Sequence, residues 1–270
     1  MSPACVERRS QDPTEHRPTL RVLDVLDELS RAPEGCTLTD LSHATGVSKS
    51  TLVPILKTME SRRFITFEAG TGRYSIGIKA FSVGSSFVDN VPLVNVLRTE
   101  MERMMAVCKE TCQLGVLDGG DVLYIAKVDS PQAVRLISSI GKHIPAYCTA
   151  LGKALLCDAT PQQIVELFPE PLKRLTSHTI SSVEELTAQI AEQRATGIFS
   201  EFEESSESVV CFSVPLRQRG RILAAVSVSL PRYRLDDEKE RGICHGLLDY
   251  QRSVEQLLET YPDHNGLLLG

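Results

Sequence analysis

The sequence of 270 residues contains no tryptophan, and aromatic residues make up only 5% of it. No apolar run reaches the roughly 18 residues that a membrane-spanning helix needs. Residues 1–18 have no apolar stretch behind their charges, which argues against a secretory signal. We therefore expect a cytoplasmic protein that does not enter a membrane.

Motifs of several common enzyme classes are also missing. There is no Walker loop, dinucleotide fingerprint, nucleophile elbow or His-Glu-x-x-His pattern. Of the eight cysteines only Cys108 and Cys112 are close in sequence, and no second pair completes a zinc site. We expect no catalytic residue, no metal and no cofactor, and we expect most of the thiols to be reduced and buried.

The net charge of −6 excludes nucleic-acid binding through the overall charge of the protein. The charge is unevenly distributed, however, because residues 1–90 carry 11 basic and 11 acidic side chains and are neutral. Residues 48–79 contain six Lys or Arg residues and only two acidic ones, Glu60 and Glu68, so the net charge of this segment is +4. A compact basic face in this region could bind DNA.

The first third of the chain has the pattern of a winged helix-turn-helix. Leucines at every third position predict an amphipathic helix over residues 20–35. Thr37 or Thr39 can cap a second helix, Gly46 suits the following turn, and Ser48 or Ser50 can cap a third helix. Apolar and polar residues alternate on either side of AGTG, and this pattern predicts a β-hairpin with its turn at AGTG. A helical subdomain that binds nothing is the other interpretation of such a pattern.

Small hydroxyl and basic side chains at the start of the third helix favour DNA binding, because phosphates and base edges are contacted there. The wing adds a basic side chain that could reach a phosphate or the minor groove. We predict DNA contacts from Thr39, Ser48, Lys49, Ser50, Thr51, Val53, Lys57 and Arg73.

Pro54 lies in the middle of this proposed recognition helix, where a proline removes a hydrogen bond and favours a kink. If Ser50 is the cap, the proline falls at the edge of the first turn. If Ser48 is the cap, the proline lies deeper and leaves the Ser50 carbonyl without its donor. We predict a continuous or slightly bent helix in either case, because the inward apolar residues keep their spacing.

Further along the chain, helical and strand patterns predict an α+β domain whose strands have helices on one side. Within it, Thr149 can cap a short helix and leave the N–H groups of Ala150, Leu151 and Gly152 free for a carboxylate. Ser227 and Ser229 share one face of a strand, as Cys211 and Ser213 do on the neighbouring strand. On the residues alone, this face could line a ligand pocket or contact solvent.

The chain resembles the IclR (isocitrate lyase regulator) family of bacterial transcription factors. The stretches that carry the resemblance are TLTDLSHATGVSKSTLVPILKTMESRRFI, GRYSIGIKAFSVG, TALGKALL, EFEESSESVVCFSVPL and GRILAAVSVSLP. It runs from about Leu20 to about Leu258. It implies a winged helix, a linker helix that helps the protein to dimerise, and a GAF-like effector domain. It also implies a homodimer or tetramer that binds a palindromic operator.

These expectations divide the chain into a flexible tail (1–17), a winged helix-turn-helix domain (18–78), a linker helix (79–91), a GAF-like ligand-binding domain (92–262) and a second flexible tail (263–270). The resemblance implies effector contacts at Ala150, Leu151, Glu201, Cys211, Ser227 and Ser229. It implies apolar walls at Leu136, Ile144 and Val209.

Glu201 departs from the family, which usually has Asp at this position. Glu203 is the alternative contact, and a run of glutamates is otherwise most often a solvated loop. The resulting prediction is a DNA-binding regulator controlled by a small, carboxylated metabolite. The alternatives are a redox sensor that uses Cys211 or the Cys108/Cys112 pair and an enzyme that uses the GAF-like pocket.

Overall fold

The structure, a computed structural model, describes residues 15–90, 92–133, 139–168 and 171–261. The chain divides into two compact units between Asn90 and Val91. The expected tails, residues 1–17 and 263–270, lie outside the described residues except for residues 15–17, and the first helix already begins at Arg17.

The first unit is a winged helix-turn-helix followed by a further helix, as the sequence predicts. Its elements are α1 (Arg17–Ser30), β1 (Cys36–Thr37), α2 (Leu38–Thr45), α3 (Lys49–Ser61), β2 (Ile65–Glu68), β3 (Arg73–Ile76) and α4 (Ile78–Asn90). The antiparallel hairpin β2–β3 gains the two-residue strand β1 at its edge, in the order β1–β3–β2. The sequence pattern did not indicate β1.

Local chemistry explains the turn between α2 and α3. Thr37 caps α2 in a capping box, in which its side chain accepts from the Asp40 N–H while its own N–H donates to the Asp40 carboxylate. Gly46 ends α2 with φ 67°, a backbone conformation that glycine adopts without strain. Leu41 and Leu52 are completely buried on either side of this turn, so they fix the angle between the two helices.

The recognition helix α3 passes through Pro54 without ending. Ser48 is the N-cap, so the proline occupies the sixth helical position rather than the edge of the first turn. An interior proline costs a helix about 3 kcal/mol. The buried side chains of Leu52, Leu56 and Met59 offset this cost, because each anchors the helix in the core of the unit. The prediction of a continuous helix is confirmed.

The second unit is an antiparallel sheet between helices. Its helices are α5 (Pro92–Cys108), α6 (Ala150–Leu155), α7 (Pro161–Leu167), α8 (Val183–Arg194) and α9 (Asp237–Leu258). Its strands are β4 (Thr111–Asp118), β5 (Asp121–Val128), β6 (His143–Pro145), β7 (Phe199–Phe202), β8 (Val209–Gln218) and β9 (Arg221–Pro231). In the described residues the strand order is β6–β5–β4–β9–β8–β7, and each neighbouring pair is antiparallel.

Helices cover both faces of this sheet, so the expectation of helices on one side is wrong. Apolar side chains of β4, β8 and β9 pack with α5 and α9 on one face. The other face carries small and polar residues, and residues 146–157 and α8 pack against it. The second face is buried because apolar residues such as Val122 and Phe199 pack with these helices, while its polar residues bond to one another.

Candidate functional site

The start of α3 presents a connected group of polar side chains at the protein surface. The Ser48 hydroxyl lies 3.1 Å from the Ser50 hydroxyl and 2.9 Å from the Thr51 hydroxyl. Lys49 Nζ donates to the hydroxyl of Thr39 at 2.8 Å, so the α2 and α3 contributions meet at one point. These five residues, predicted from the sequence as DNA contacts, therefore form one surface.

The next turn of α3 extends this surface. Pro54 and Lys57 are exposed, and Val53 is half-buried beside them. Residues three and four apart share a helix face, so Lys57 continues the exposed stripe that begins at Ser50. The Lys57 ammonium lies at one end of this stripe, and the hydroxyls of Ser48, Ser50 and Thr51 lie at the other end.

Arg73 is placed differently from the rest of the predicted DNA contacts. It is half-buried at the start of β3, opposite Glu68 of the hairpin and Thr37 of β1. Its Nη1 donates to the Gly35 carbonyl at 2.7 Å. The guanidinium therefore holds the wing to the turn after α1, and only its remaining donors can reach DNA.

In the second unit, strand register brings distant polar residues together on the face covered by α6. We call the group formed by Gln113, Cys211, Ser227 and Ser229 the polar cluster. Cys211 of β8 lies opposite Ser229 of β9, and Gln113 of β4 lies opposite Ser227. The Ser229 hydroxyl is 2.9 Å from Gln113 Oε1, and the Ser227 hydroxyl is 3.5 Å from the same atom. The two serines are 1% and 2% exposed, so the interpretation that they contact solvent is wrong.

Glu201 of β7 borders this cluster from the other edge. It pairs with Cys211 in the register, is 1% exposed, and hydrogen-bonds to the Cys211 thiol. Its carboxylate accepts from the Glu204 N–H at 2.8 Å and from the Ser205 hydroxyl at 3.0 Å. Burial raises the pKa of this carboxyl above its ordinary 4.5, although these hydrogen bonds oppose the shift.

The other glutamates of the same run have separate positions. The Glu203 carboxylate accepts from the Ser208 N–H at 2.8 Å within the loop, so its side chain bonds away from the cluster. Glu204 is buried like Glu201, which departs from the expectation of a solvated loop.

A buried ion pair supports this end of the cluster. Lys153 of α6 is completely buried, and its Nζ donates to Glu204 Oε1 at 2.6 Å. The same nitrogen also donates to Gln189 of α8 and to the Ser200 carbonyl of β7. The three donors of the ammonium are satisfied, which is what allows a charged lysine to be buried. The pair ties α6, α8 and the β7 edge into one assembly.

The short helix α6 begins where the sequence predicts. Thr149 is its cap, but the hydroxyl accepts the Gly152 N–H at 2.9 Å. The expectation that the Gly152 N–H is free is therefore wrong, because the cap itself occupies it. Bonds among the described residues leave the N–H groups of Ala150 and Leu151 as the candidates for a ligand. Gly152 has another role, since a Cβ there would lie 2.0 Å from the Ala146 carbonyl oxygen.

Two of the three predicted apolar walls lie on strands of the same sheet as the polar residues. Ile144 of β6 is half-buried and packs against the core beneath α6. Val209 shares a strand face with Cys211, two residues further along β8. Leu136 lies outside the described residues.

The side chains of Glu201, Ser227 and Ser229 are almost completely buried, whereas Cys211 beside them is half-buried. A cavity of about 470 Å³ in the same unit is lined elsewhere, by residues that include Asp158, Ile164, Ile190 and Arg194. A ligand that contacts the side chains of Glu201, Ser227 and Ser229 would have to displace residues that now cover them, and α6 packs against the strands β7 and β9 that carry them.

Several residues in and around the polar cluster were not predicted from the sequence as site residues. They are Gln113, Tyr124, Cys148, Lys153 and Glu204. Lys153 falls within TALGKALL and Glu204 within EFEE, but the two residues are 51 positions apart, so no local pattern indicates that they pair. Gln113 is a polar residue between Cys112 and Leu114 in a mostly apolar strand, and that interruption was the available signal.

The described residues contain no group of three or more His, Cys, Asp or Glu side chains that could hold a metal ion. In the same ranges, no helix is both long and apolar enough to cross a membrane.

Comparison with known proteins matches both units to one family. The IclR helix-turn-helix domain matches residues 18–69, and the C-terminal domain of bacterial IclR transcriptional regulators matches residues 85–256. The HTH-type transcriptional regulator KdgR of Dickeya chrysanthemi is 34% identical over 223 residues, which are 82% of this chain and 73% of that protein.

Solved structures share the fold. A transcriptional regulator from Alicyclobacillus acidocaldarius has a TM-score of 0.80 at 22% identity, covering 90% of this chain and 99% of that one. An IclR homologue from Microbacterium hydrocarbonoxydans, solved in complex with 4-hydroxybenzoate, has a TM-score of 0.75 at 21% identity. The coverage there is 90% of this chain and 100% of the other.

These matches do not support the redox alternative. Burial raises the pKa of the Cys211 thiol well above its usual range, which disfavours the reactive thiolate. Cys108 differs, since a hydrogen bond with Cys112 lowers its pKa to about 7, while the pKa of Cys112 is raised.

Proposed function

The chain belongs to the IclR family of bacterial transcriptional regulators, and from that premise we propose that a small organic acid controls its affinity for a palindromic DNA operator. The protein is a DNA-binding regulator with a ligand-binding carboxy-terminal domain, and it is not an enzyme. We also propose which residues bind the effector, and that the protein meets its operator in the cytoplasm.

The observation that carries the proposal is the buried polar cluster on the sheet. Burying polar groups is costly unless they are paired, and a face of small hydroxyls beneath a helix is typical of a ligand site. Since both serine hydroxyls approach the Gln113 side-chain oxygen, they are placed to donate to it and to accept from a ligand. Ala150 and Leu151 offer N–H groups from the covering side.

This distribution favours a hydroxylated acid as the effector. The carboxylate would accept from the N–H groups at the start of α6, and hydroxyls would donate to Ser227, Ser229 and Glu201. The Microbacterium relative was solved with 4-hydroxybenzoate, which is also a hydroxylated carboxylic acid. Apolar parts of the effector would contact Ile144 and Val209, and we include Leu136 from the family pattern.

DNA recognition is assigned to the surface at the start of α3. Ser48, Lys49, Ser50 and Thr51 would contact phosphates and base edges from one end, and Lys57 from the other. Thr39 positions Lys49, while Val53 and the free donors of Arg73 complete the interface. The wing contributes less than the helix, because Arg73 already bonds to Gly35.

We propose that the regulator acts as a homodimer or a tetramer. The helix α4 exposes Ile78 (58%), Phe81 (70%) and Val83 (50%), an apolar set that a second copy would cover. A two-fold protein requires half-sites whose centres are about 10–10.5 base pairs apart, or a multiple of that spacing.

Two measurements test this function. Selection from a random duplex library with the full-length protein should enrich a palindrome. A thermal-shift screen of aliphatic and aromatic hydroxy acids should find a ligand that adds about 2.7 kcal/mol of stability at 100 times its Kd. If DNA is bound well but no acid shifts the melting temperature, the effector proposal is wrong.

Variants then locate the ligand. Ser229→Ala removes a buried hydroxyl and should weaken ligand binding about tenfold, from a loss of roughly 1–3 kcal/mol. Ser206→Ala, at an exposed serine of the preceding loop, is the matched control and should bind normally. If the two variants bind the acid with equal affinity, the ligand site does not include Ser229.

A further inference from the structure

Pro54 is a costly residue that the fold of the first unit does not require. It lies inside α3, where it can donate no backbone hydrogen bond to the Ser50 carbonyl. The core contacts of the helix are made by Leu52, Leu56 and Met59, whereas the Pro54 ring is on the exposed side. Residues that weaken an element without a packing role are expected at functional positions.

The exposed side of α3 gives the ring a defined neighbourhood. Ser50, Pro54 and Lys57 follow one another at i, i+4 and i+7, so they form one stripe. The hydroxyls around Ser50 lie at one end of the stripe, and the Lys57 ammonium lies at the other. An apolar ring thus sits between hydrogen-bonding groups on the face that the proposed function places in the major groove.

The ring can recognise only one kind of feature in that groove. It has no donor or acceptor, and the major-groove edges of base pairs present donors, acceptors and a single apolar group, the C5-methyl of thymine. We propose that Pro54 contacts a thymine methyl group and so selects thymine at one position of each half-site. This inference rests on the proposed function, because it requires α3 to enter the groove.

The test uses the full-length protein and the duplex that it selects from a random library. Each thymine of a half-site is replaced in turn by deoxyuridine, which lacks only the methyl group, and affinity is measured by fluorescence anisotropy. For the wild type, the replacement at one of these thymine positions should raise Kd about fourfold. This is the effect expected for burial of one methyl-sized apolar group.

The variant Pro54→Ser separates recognition from folding. Serine restores the missing backbone N–H, so the melting temperature should rise. On the same duplex, the variant should bind thymine and deoxyuridine with equal affinity. Ser61→Ala, at an exposed position near the end of the same helix, is the matched control and should keep the fourfold discrimination.

Each outcome decides the question. If wild type and Pro54→Ser lose the same affinity at every deoxyuridine, or if the wild type is insensitive to all of them, Pro54 does not read a methyl group. A lower melting temperature for Pro54→Ser would show that the proline is structural and would also overturn the inference. Failure of the wild type to enrich any sequence would instead contradict the proposed function.

Discussion

Replacing Lys153 by Met should strongly destabilise the second unit. Lys153 Nζ lies 2.6 Å from Glu204 Oε1, and the two side chains are 0% and 8% exposed. Removing the ammonium leaves the Glu204 carboxylate buried without a counter-charge. Loss of one partner from a buried pair typically costs about 3–5 kcal/mol, far more than loss of both partners.

The assay for Lys153→Met is urea unfolding followed by tyrosine fluorescence, because the chain lacks tryptophan and five of its six tyrosines lie after residue 91. The double variant Lys153→Met/Glu204→Gln should recover about 2 kcal/mol or more relative to the single variant. Arg98→Met, which breaks the exposed Arg98–Glu102 pair, is the control and should cost less than about 1 kcal/mol.

A loss below about 1 kcal/mol for Lys153→Met would refute this reasoning. Equal stabilities for the single and double variants would refute it as well, since they would show that the buried carboxylate needs no partner.

Three further predictions concern DNA binding, ionisation and packing. Lys49→Ala should weaken binding to all duplexes alike and reduce the salt slope of log Kd by about 1 per half-site, measured by anisotropy at several salt concentrations; an unchanged slope would exclude a phosphate contact. Burial raises the folded-state pKa of Glu201, so above pH 4.5 the folded state retains a proton that the unfolded state has lost. This carboxyl should therefore lower the free energy of unfolding as the pH rises from 4.5 through its folded pKa, by at most about 1.4 kcal/mol per pH unit, so Glu201→Gln should lose less stability over this range than the wild type; parallel pH profiles would contradict it. Gly152→Ala should cost about 1–3 kcal/mol, because the added methyl group would overlap the Ala146 carbonyl oxygen; Gly84→Ala, whose Cβ would meet no atom within 4 Å, is the control and should not destabilise the protein.

Features that depend on neighbouring residues could be predicted from the sequence. The caps at Thr37 and Thr149, the turn at Gly46 and the β2–β3 hairpin all follow from chemistry within a few positions. Passage of α3 through Pro54 was also predictable, because the buried leucines of that helix keep their period.

Features that depend on sheet register could not be predicted in the same way. Ser229 and Gln113 are 116 positions apart, and only the β4–β9 pairing brings them into contact. The presence of helices on both faces of the sheet could not be predicted for a related reason. The second face mixes apolar residues such as Phe199 with polar ones such as Ser227, and burial of the polar ones becomes evident only when their side chains are seen to bond to one another.

The most direct test of ligand-controlled DNA binding is the Kd of the full-length protein for its selected duplex, measured with and without a saturating acid from the thermal-shift screen. The account predicts that the acid changes this Kd by about fivefold or more, the lower end of usual allosteric couplings, and that Ser229→Ala requires more acid for the same change. An acid that binds and stabilises the protein but leaves the Kd for DNA unchanged would contradict the account.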